Sequence, residues 1–148
     1  MRISIAADEL AGVAEELEAA LVERGHEVVA RHGALNEDER DDWAWASEAA
    51  ARDVIEGRAE QAVVACWTGT GASIAANKVS GARAALAGDA ETAAGARKWN
   101  DANVLALSLR ITTDAVLGEI LDAWFGAEPS SDEPDIANVG HLDEIERR

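Results

Sequence analysis

The chain has 148 residues, 48% of them hydrophobic, which is enough for one packed domain and too apolar for general disorder. A formal net charge of −16 argues against nucleic acid as a partner, because phosphate is repelled by such a surface. No apolar run approaches the ~20 residues that cross a bilayer, and a single cysteine leaves no intrachain disulfide, which fits a reducing cytoplasm.

Ile3 to Ala7 is a short apolar run and reads as a buried strand. Asp8 and Glu9 come next and interrupt any signal-peptide core. Val13 to Arg24 carries Val13, Leu17, Ala20 and Leu21 on one helical face and is closed by Gly25. His26 to Ala30 is a second strand, and residues 31–41 are polar and read as a loop. Asp41 or Asp42 caps a helix from Trp43 to Glu56, which Gly57 ends. Ala62 to Ala65 is a third strand, Thr68 to Gly71 a glycine-rich turn, and a helix opens near Ala72 and runs to Lys78. Ala82 to Ala87 is a fourth strand, Glu91 to Trp99 a helix, Asn103 to Leu107 a fifth strand, and Thr113 to Phe125 a helix. Glu128 to Pro134 is a linker, and Ile136 to Arg148 a final helix or arm. The strict alternation predicts an α/β, doubly wound (Rossmann-like) fold with a five-stranded parallel sheet, helices on both faces and a C-terminal helix or arm. Residues 1–126 form the expected domain, and 127–148 a linker and arm that packs on the same domain or on a partner.

Ligands bind such sheets at the carboxyl ends of the strands. Asp8, the Cys66–Gly71 turn and Arg110 each come just after a predicted strand, so they are expected to share one rim. The segment Cys66-Trp67-Thr68-Gly69-Thr70-Gly71-Ala72-Ser73 places a thiol at a strand end, then a flexible turn, then a helix. Glycines let backbone N–H groups converge on an anion, and the helix start adds partial positive charge. Such a field stabilises an enediolate oxygen and favours a thiolate at Cys66. The pattern alone fits a buried structural cysteine beside an ordinary turn equally well.

The stretch from Cys66 to Lys78 resembles the Cys-Gly-Thr-Gly-x-Gly-x-Ser-x-Ala-Ala-Asn-Lys signature of the ribose-5-phosphate isomerase B and galactose-6-phosphate isomerase family. Asn100-Asp101-Ala102-Asn103-Val104-Leu105-Ala106-Leu107 is similar to a second block of that family, and Ala7-Asp8 with Ala11-Gly12 to its N-terminal Ser-Asp-His-Ala-Gly. The resemblance covers about residues 1–126. It implies a homodimer or dimer of dimers, and metal-independent, cofactor-free aldose–ketose isomerisation of a sugar or sugar phosphate. Cys66 is then the proton-transferring base, and the turn of Thr68, Gly69, Thr70 and Gly71 holds the enediolate oxygen. Asp8, Glu9, Trp43, Trp67, Ser73, Trp99, Asn100, Arg110 and His141 become candidate substrate contacts.

Several positions depart from the family pattern. Glu9 stands where the family has a histidine, and Trp99 replaces the histidine that assists ring opening. The family's C-terminal phosphate-binding arginines fall at Ala137, Gly140 or His141, leaving Arg110 as the matching anchor. A pocket tyrosine becomes Trp43. The pattern points to an altered substrate, with an unphosphorylated sugar, a sugar acid or a non-catalytic sugar-binding dimer as competing readings. Asp8 has an alternative role as cap of the helix near Gly12, Asn77 as a structural residue of the loop, and Asn100 as a helix terminator. His26 and His32 read as surface residues, and Glu37-Asp38-Glu39 as solvated charge.

Overall fold

A computed structural model describes all of residues 1–148. Five parallel strands, β1 (Arg2–Ala7), β2 (Glu27–Gly33), β3 (Gln61–Cys66), β4 (Ala84–Leu86) and β5 (Val104–Ser108), form one sheet in the order β2-β1-β3-β5-β4. The helices are α1 (Leu17–Glu23), α2 (Trp43–Ile55), α3 (Thr70–Ala76), α4 (Ala90–Asn100), α5 (Asp114–Gly126) and α6 (Glu133–Glu146). No helix is long and apolar enough to cross a membrane.

Strand parity divides the core in two. Ile3, Ile5, Val63, Leu105 and Leu107 face α1, α4 and α5 in a cluster that holds Leu21, Leu117, Ile120, Leu121 and Trp124. Ala6, Ala62, Val64, Cys66 and Ala106 face α2 and α3, where Ala46, Ala50, Ala51, Ala72 and Ala76 meet them. Small residues on this second face let α2 and α3 lie close to the sheet, so the thiol of Cys66 ends up beneath the start of α3. Trp124 is fully buried and its indole N–H donates to Gln61 Oε1 at 2.6 Å, so it is a core residue.

Caps define the helix starts. Asp42, Asp89 and Thr113 each accept a backbone N–H from three residues on. The helix expected over Val13–Arg24 is instead a 3-10 turn at Gly12–Ala14 and then α1. At Gly12 the chain turns left-handed (φ 53°) against Leu109, whose carbonyl oxygen would lie 2.8 Å from any added Cβ. The helix therefore begins only after the chain has cleared the end of β5. β2 runs three residues further than expected, to Gly33. Asn77 has a clear structural role. Its amide donates to Ala84 O at 2.9 Å and its carbonyl accepts from Ala84 N at 2.8 Å, so it mimics a neighbouring strand along the open edge of β4.

α6 buries none of its residues. It lies along α4, tied down by Ser130 N donating to Lys98 O at 2.7 Å and by the Glu146 carboxylate, which accepts from Ser80 Oγ and Gly81 N at 2.9 Å each.

Candidate active site

The chain reverses its winding between β1 and β3, which are adjacent in the sheet although β2 lies between them in sequence. A crevice opens at such a reversal, at the carboxyl ends of the strands. Ala7 pairs with Ala65 and Cys66 with Ser108, so Asp8, Cys66 and Arg110 leave the sheet side by side. Leu109 N donates to Cys66 O and Arg110 N to Trp67 O, each at 2.9 Å, and Ser108 Oγ donates to Trp67 O at 3.0 Å. These bonds fix the backbone of the turn while the Trp67 indole projects outward, half exposed.

The turn itself is dictated by glycine. Gly69 is left-handed (φ 76°) and caps α3; a Cβ there would lie 2.8 Å from the backbone of Leu107. From this corner the first amides of α3 point back toward the thiol. Ala72 N–H donates to Cys66 Sγ at 3.4 Å, and Ser73 N–H donates to Gly69 O at 3.0 Å. The amides of Thr70 and Gly71 have no acceptor in the protein, in keeping with the first turn of a helix. Two unpaired N–H groups therefore share the first turn of α3 with the amide that donates to the sulfur. Thr68 and Thr70 share a hydrogen bond between their hydroxyls at 2.7 Å, which joins the two side chains across the turn. The Trp43 indole closes one side, for a Cβ on Gly71 would come within 3.0 Å of its ring. Cys66 is 5% exposed and Trp43 44%.

Asp8 caps no helix: the 3-10 turn has Ala11 at its cap position and no side-chain bond. Its Oδ1 is buried and finds no partner. Burial pushes the Asp8 carboxyl above the usual range, and the neighbouring charge of Glu9 and that of Asp41 add to this, against a bond from its own backbone. A carboxyl raised in this way stabilises the fold below its ordinary range, and that contribution is lost as pH rises through the raised value. At pH 7 the ionised group therefore works against the fold. Asp8→Asn is expected to raise Tm at pH 7 by roughly 1–3 °C, a small gain because solvent screens the partly exposed group, and to lower kcat/KM. Thermal unfolding beside steady-state kinetics checks both; an unchanged kcat/KM would leave Asp8 without a role in the site.

The remaining candidates do not gather here. Trp99 and Asn100 end α4, and the chain then enters β5 through Asn103, whose carbonyl accepts from Ala62 N at the start of β3. That is the amino end of the sheet, ~13 Å of strand away from Cys66. Asn100 lines a cleft of about 360 Å³ with Arg83, Leu142 and Glu146. Trp99 is half exposed, with the Lys98 ammonium 5.6 Å from its ring centroid. His141 is exposed on α6, along the same flank. Within one chain the candidates thus form two groups: Asp8, Glu9, Trp43, Cys66 to Gly71, Ser73 and Arg110 at the carboxyl rim, and Trp99, Asn100 and His141 at the other end. Arg110 is exposed at the rim. No group of three or more His, Cys, Asp or Glu side chains is placed to hold a metal ion.

His32, expected as a surface residue, is instead bonded to the core, while Glu39 is exposed as expected and bonds His32. His32 is half-buried and bonds both Asp53 and Glu39. The β2 register slips between Val28 and Ala30, so His32, paired with Ala6, faces α2 and Asp53 while Val28 packs on the opposite core.

The chain matches the Ribose/Galactose Isomerase family over residues 3–141. It is 39% identical over 113 residues to ribose-5-phosphate isomerase B of Escherichia coli, an overlap of 76% of this chain and 74% of that one. It is 35% identical over 99 residues to D-erythrulose-4-phosphate isomerase of Pectobacterium atrosepticum, with 66% and 65% of the two chains aligned. The solved structure of ribose-5-phosphate isomerase B from Clostridium thermocellum superposes with a TM-score of 0.89 at 35% identity, covering 99% of this chain and 98% of that one. With a parallel sheet wound in both directions around a cysteine and a glycine turn, the chain belongs to the ribose/galactose isomerase family and is an aldose–ketose isomerase.

Proposed function

We propose that the protein interconverts the aldose and ketose forms of a small sugar phosphate, with Cys66 as the base that carries a proton between C1 and C2. The observation that carries this reading is the Ala72 amide donating to the Cys66 sulfur at the start of α3, in the same helical turn as the unpaired amides of Thr70 and Gly71. A base must remove a proton from carbon while the adjacent carbonyl oxygen gains charge. Amides fixed in a turn meet that charge without reorganising. The thiolate takes the C2 proton of the aldose, the electron pair moves into the C1–C2 bond, and the carbonyl oxygen becomes an enediolate oxygen facing the Thr70 and Gly71 amides. The O2 hydroxyl proton passes to O1, the O2 electron pair forms the C2 carbonyl, and return of the carbon-bound proton from Cys66 to C1 gives the ketose. Asp8 holds a sugar hydroxyl, and Arg110 meets the terminal phosphate. No metal or cofactor is required by this sequence of steps.

The test traces the proton. In D2O the ketose should acquire deuterium at C1, read by NMR, as proton transfer through a solvent-exchangeable base requires. Conversion with no deuterium incorporated at any stage, by direct hydride shift, would overturn the mechanism.

A second copy of the chain completes the site in this reading. Trp99, Asn100 and His141 reach a Cys66 rim only across an interface. The rim offers one, since Trp67, Ile74 and Ile111 are more than 50% exposed there. α6, without a buried residue of its own, is suited to pack on the same partner. Light scattering should give at least twice the 15.6 kDa chain mass at micromolar concentration, and an active monomer would refute the shared site.

A further inference from the structure

His32 takes no part in the chemistry above, yet it is one of the most fully bonded side chains in the molecule. It lies in β2, paired in register with Ala6 of β1, and only 14% of its side chain is exposed. Its Nε2 is 2.7 Å from Asp53 Oδ2, and its Nδ1 is 3.0 Å from Glu39 Oε2. A neutral imidazole donates from one nitrogen only, whereas an imidazolium donates to both carboxylates at once.

The two carboxylates differ in what they belong to. Asp53 is a fixed post in α2, 4% exposed, and it also accepts from Ser4 Oγ at 2.8 Å and Arg58 Nε at 2.7 Å. Glu39 belongs to the turns between β2 and α2. Its carboxylate gathers His32, the Gly33 amide at 3.2 Å and the Asn36 side-chain amide at 3.2 Å. Besides the carboxylate, Leu35 packs the segment against the core and the Asn36 side-chain amide donates to Arg31 O at 3.3 Å. Its own backbone bonds are those of Ala34 N to Ala7 O, Asn36 N to Gly33 O and Glu39 N to Asn36 O. Gly33 makes the corner possible, since it is left-handed (φ 69°) and a Cβ there would lie 2.3 Å from Ala7 O.

The segment leads to the site from both of its ends. Its residues Ala34, Asn36, Glu39 and Asp41 wall a hollow together with Asp8 and Glu9. Its last residue, Asp42, caps α2, whose first residue is the Trp43 that lies against Gly71. A shift of residues 34–42 would therefore move the wall beside Asp8 and the indole over the amide turn together.

We propose that His32, bridging Asp53 to Glu39, is a positioning residue that holds segment 34–42 in place as the substrate-facing wall and thereby sets substrate affinity. The inference rests on the reading that sugar binds between Asp8 and Cys66. It assigns the clasp to binding and leaves the proton transfer at Cys66 alone.

The test uses the full-length protein with D-erythrulose 4-phosphate and ribose 5-phosphate, each variant being assayed on whichever is turned over faster. Glu39→Ala removes only the exposed half of the clasp and keeps the buried post. It should raise KM about tenfold with kcat within about twofold. Glu39→Gln, which keeps the acceptor oxygen, should recover most of that loss. His32→Phe should act in the same direction, and adding it to Glu39→Ala should cost little more, because both break one connection. Amide hydrogen exchange in 34–42 should quicken at least about tenfold in Glu39→Ala, with the β-sheet unchanged. An unchanged KM in Glu39→Ala, or a fall in kcat at constant KM, overturns the proposal even if His32→Phe proves too unstable to assay. The Cys66 assignment fails separately: Cys66→Ser with normal turnover sinks the base and leaves a raised KM in Glu39→Ala standing.

Discussion

Cys66→Ser should lower kcat at least about 100-fold, the scale of a lost general base, while Tm stays within a few degrees. The two halves of this expectation have separate physical origins. A serine hydroxyl is a far weaker acid than a thiol, so almost none of it is ionised to take a proton from carbon. The fold barely registers the change: the Ala72 amide that now donates to Sγ can donate to the smaller oxygen, so the buried group keeps a partner. A cysteine that only packs between α2, α3 and the sheet would give the opposite pattern, a lower Tm at undiminished kcat, because its burial at 5% exposure makes it part of the core. Measuring kcat and Tm on the same preparation distinguishes these outcomes, and a serine variant with near-normal turnover would remove Cys66 from the mechanism. Cys66→Ala should lose as much activity, since neither side chain supplies a base.

The fold is legible in the sequence because strands and helices alternate and are punctuated by residues with a mechanism. Asp42 caps α2, while Gly25 and Gly57 adopt positive φ just past α1 and α2. The first helix departs from its apolar spacing, which starts at Val13, because contact of Gly12 with Leu109 forces a turn there that periodicity does not report. The rim is readable because residues just past a strand in a parallel sheet sit at its carboxyl end. By the same logic residues at the end of a crossover helix, such as Asn100, sit at the amino end of the next strand. A motif match joins Asn100 to Cys66 without regard to that geometry. The link between His32 and Glu39 is hidden for another reason. Polar residues 31–41 look like solvated loop by composition, and only the pairing of His32 with Ala6, past a slip in the β2 register, turns it toward a buried carboxylate. Burial alone would push Asp53 up, but hydrogen bonds from His32, Arg58 and Ser4 outweigh it and hold the carboxyl below its usual range.

Ribose 5-phosphate should be a poor substrate, with kcat/KM at least about 100-fold below the best member of a panel of pentose, tetrose and hexose phosphates, free sugars and sugar acids. A phosphate dianion gains ~1.5–3 kcal/mol from each charge-assisted hydrogen bond. The family pattern supplies arginines from the C-terminal segment, but α6 presents Ala137, Gly140 and His141 there. Two lost contacts weaken binding by ~3–6 kcal/mol, more than a hundredfold. Arg110 remains at the rim, and the net charge of −16 offers no long-range attraction in compensation. Arg147 and Arg148 follow α6 in exposed positions, where a solvated ion pair contributes little. Trp99 adds a second obstacle. An indole cannot pass a proton to the ring oxygen of a closed furanose, so a pentose that is mostly cyclic must open unaided before Cys66 can act. A four-carbon sugar phosphate cannot close a ring through the phosphorylated hydroxyl and arrives open-chain, which removes the need for the missing acid. Steady-state kinetics across the panel decides the matter. If ribose 5-phosphate gives the highest kcat/KM, the anchors lost from α6 are replaced from elsewhere, and the substitutions at Trp99 and on α6 do not define specificity.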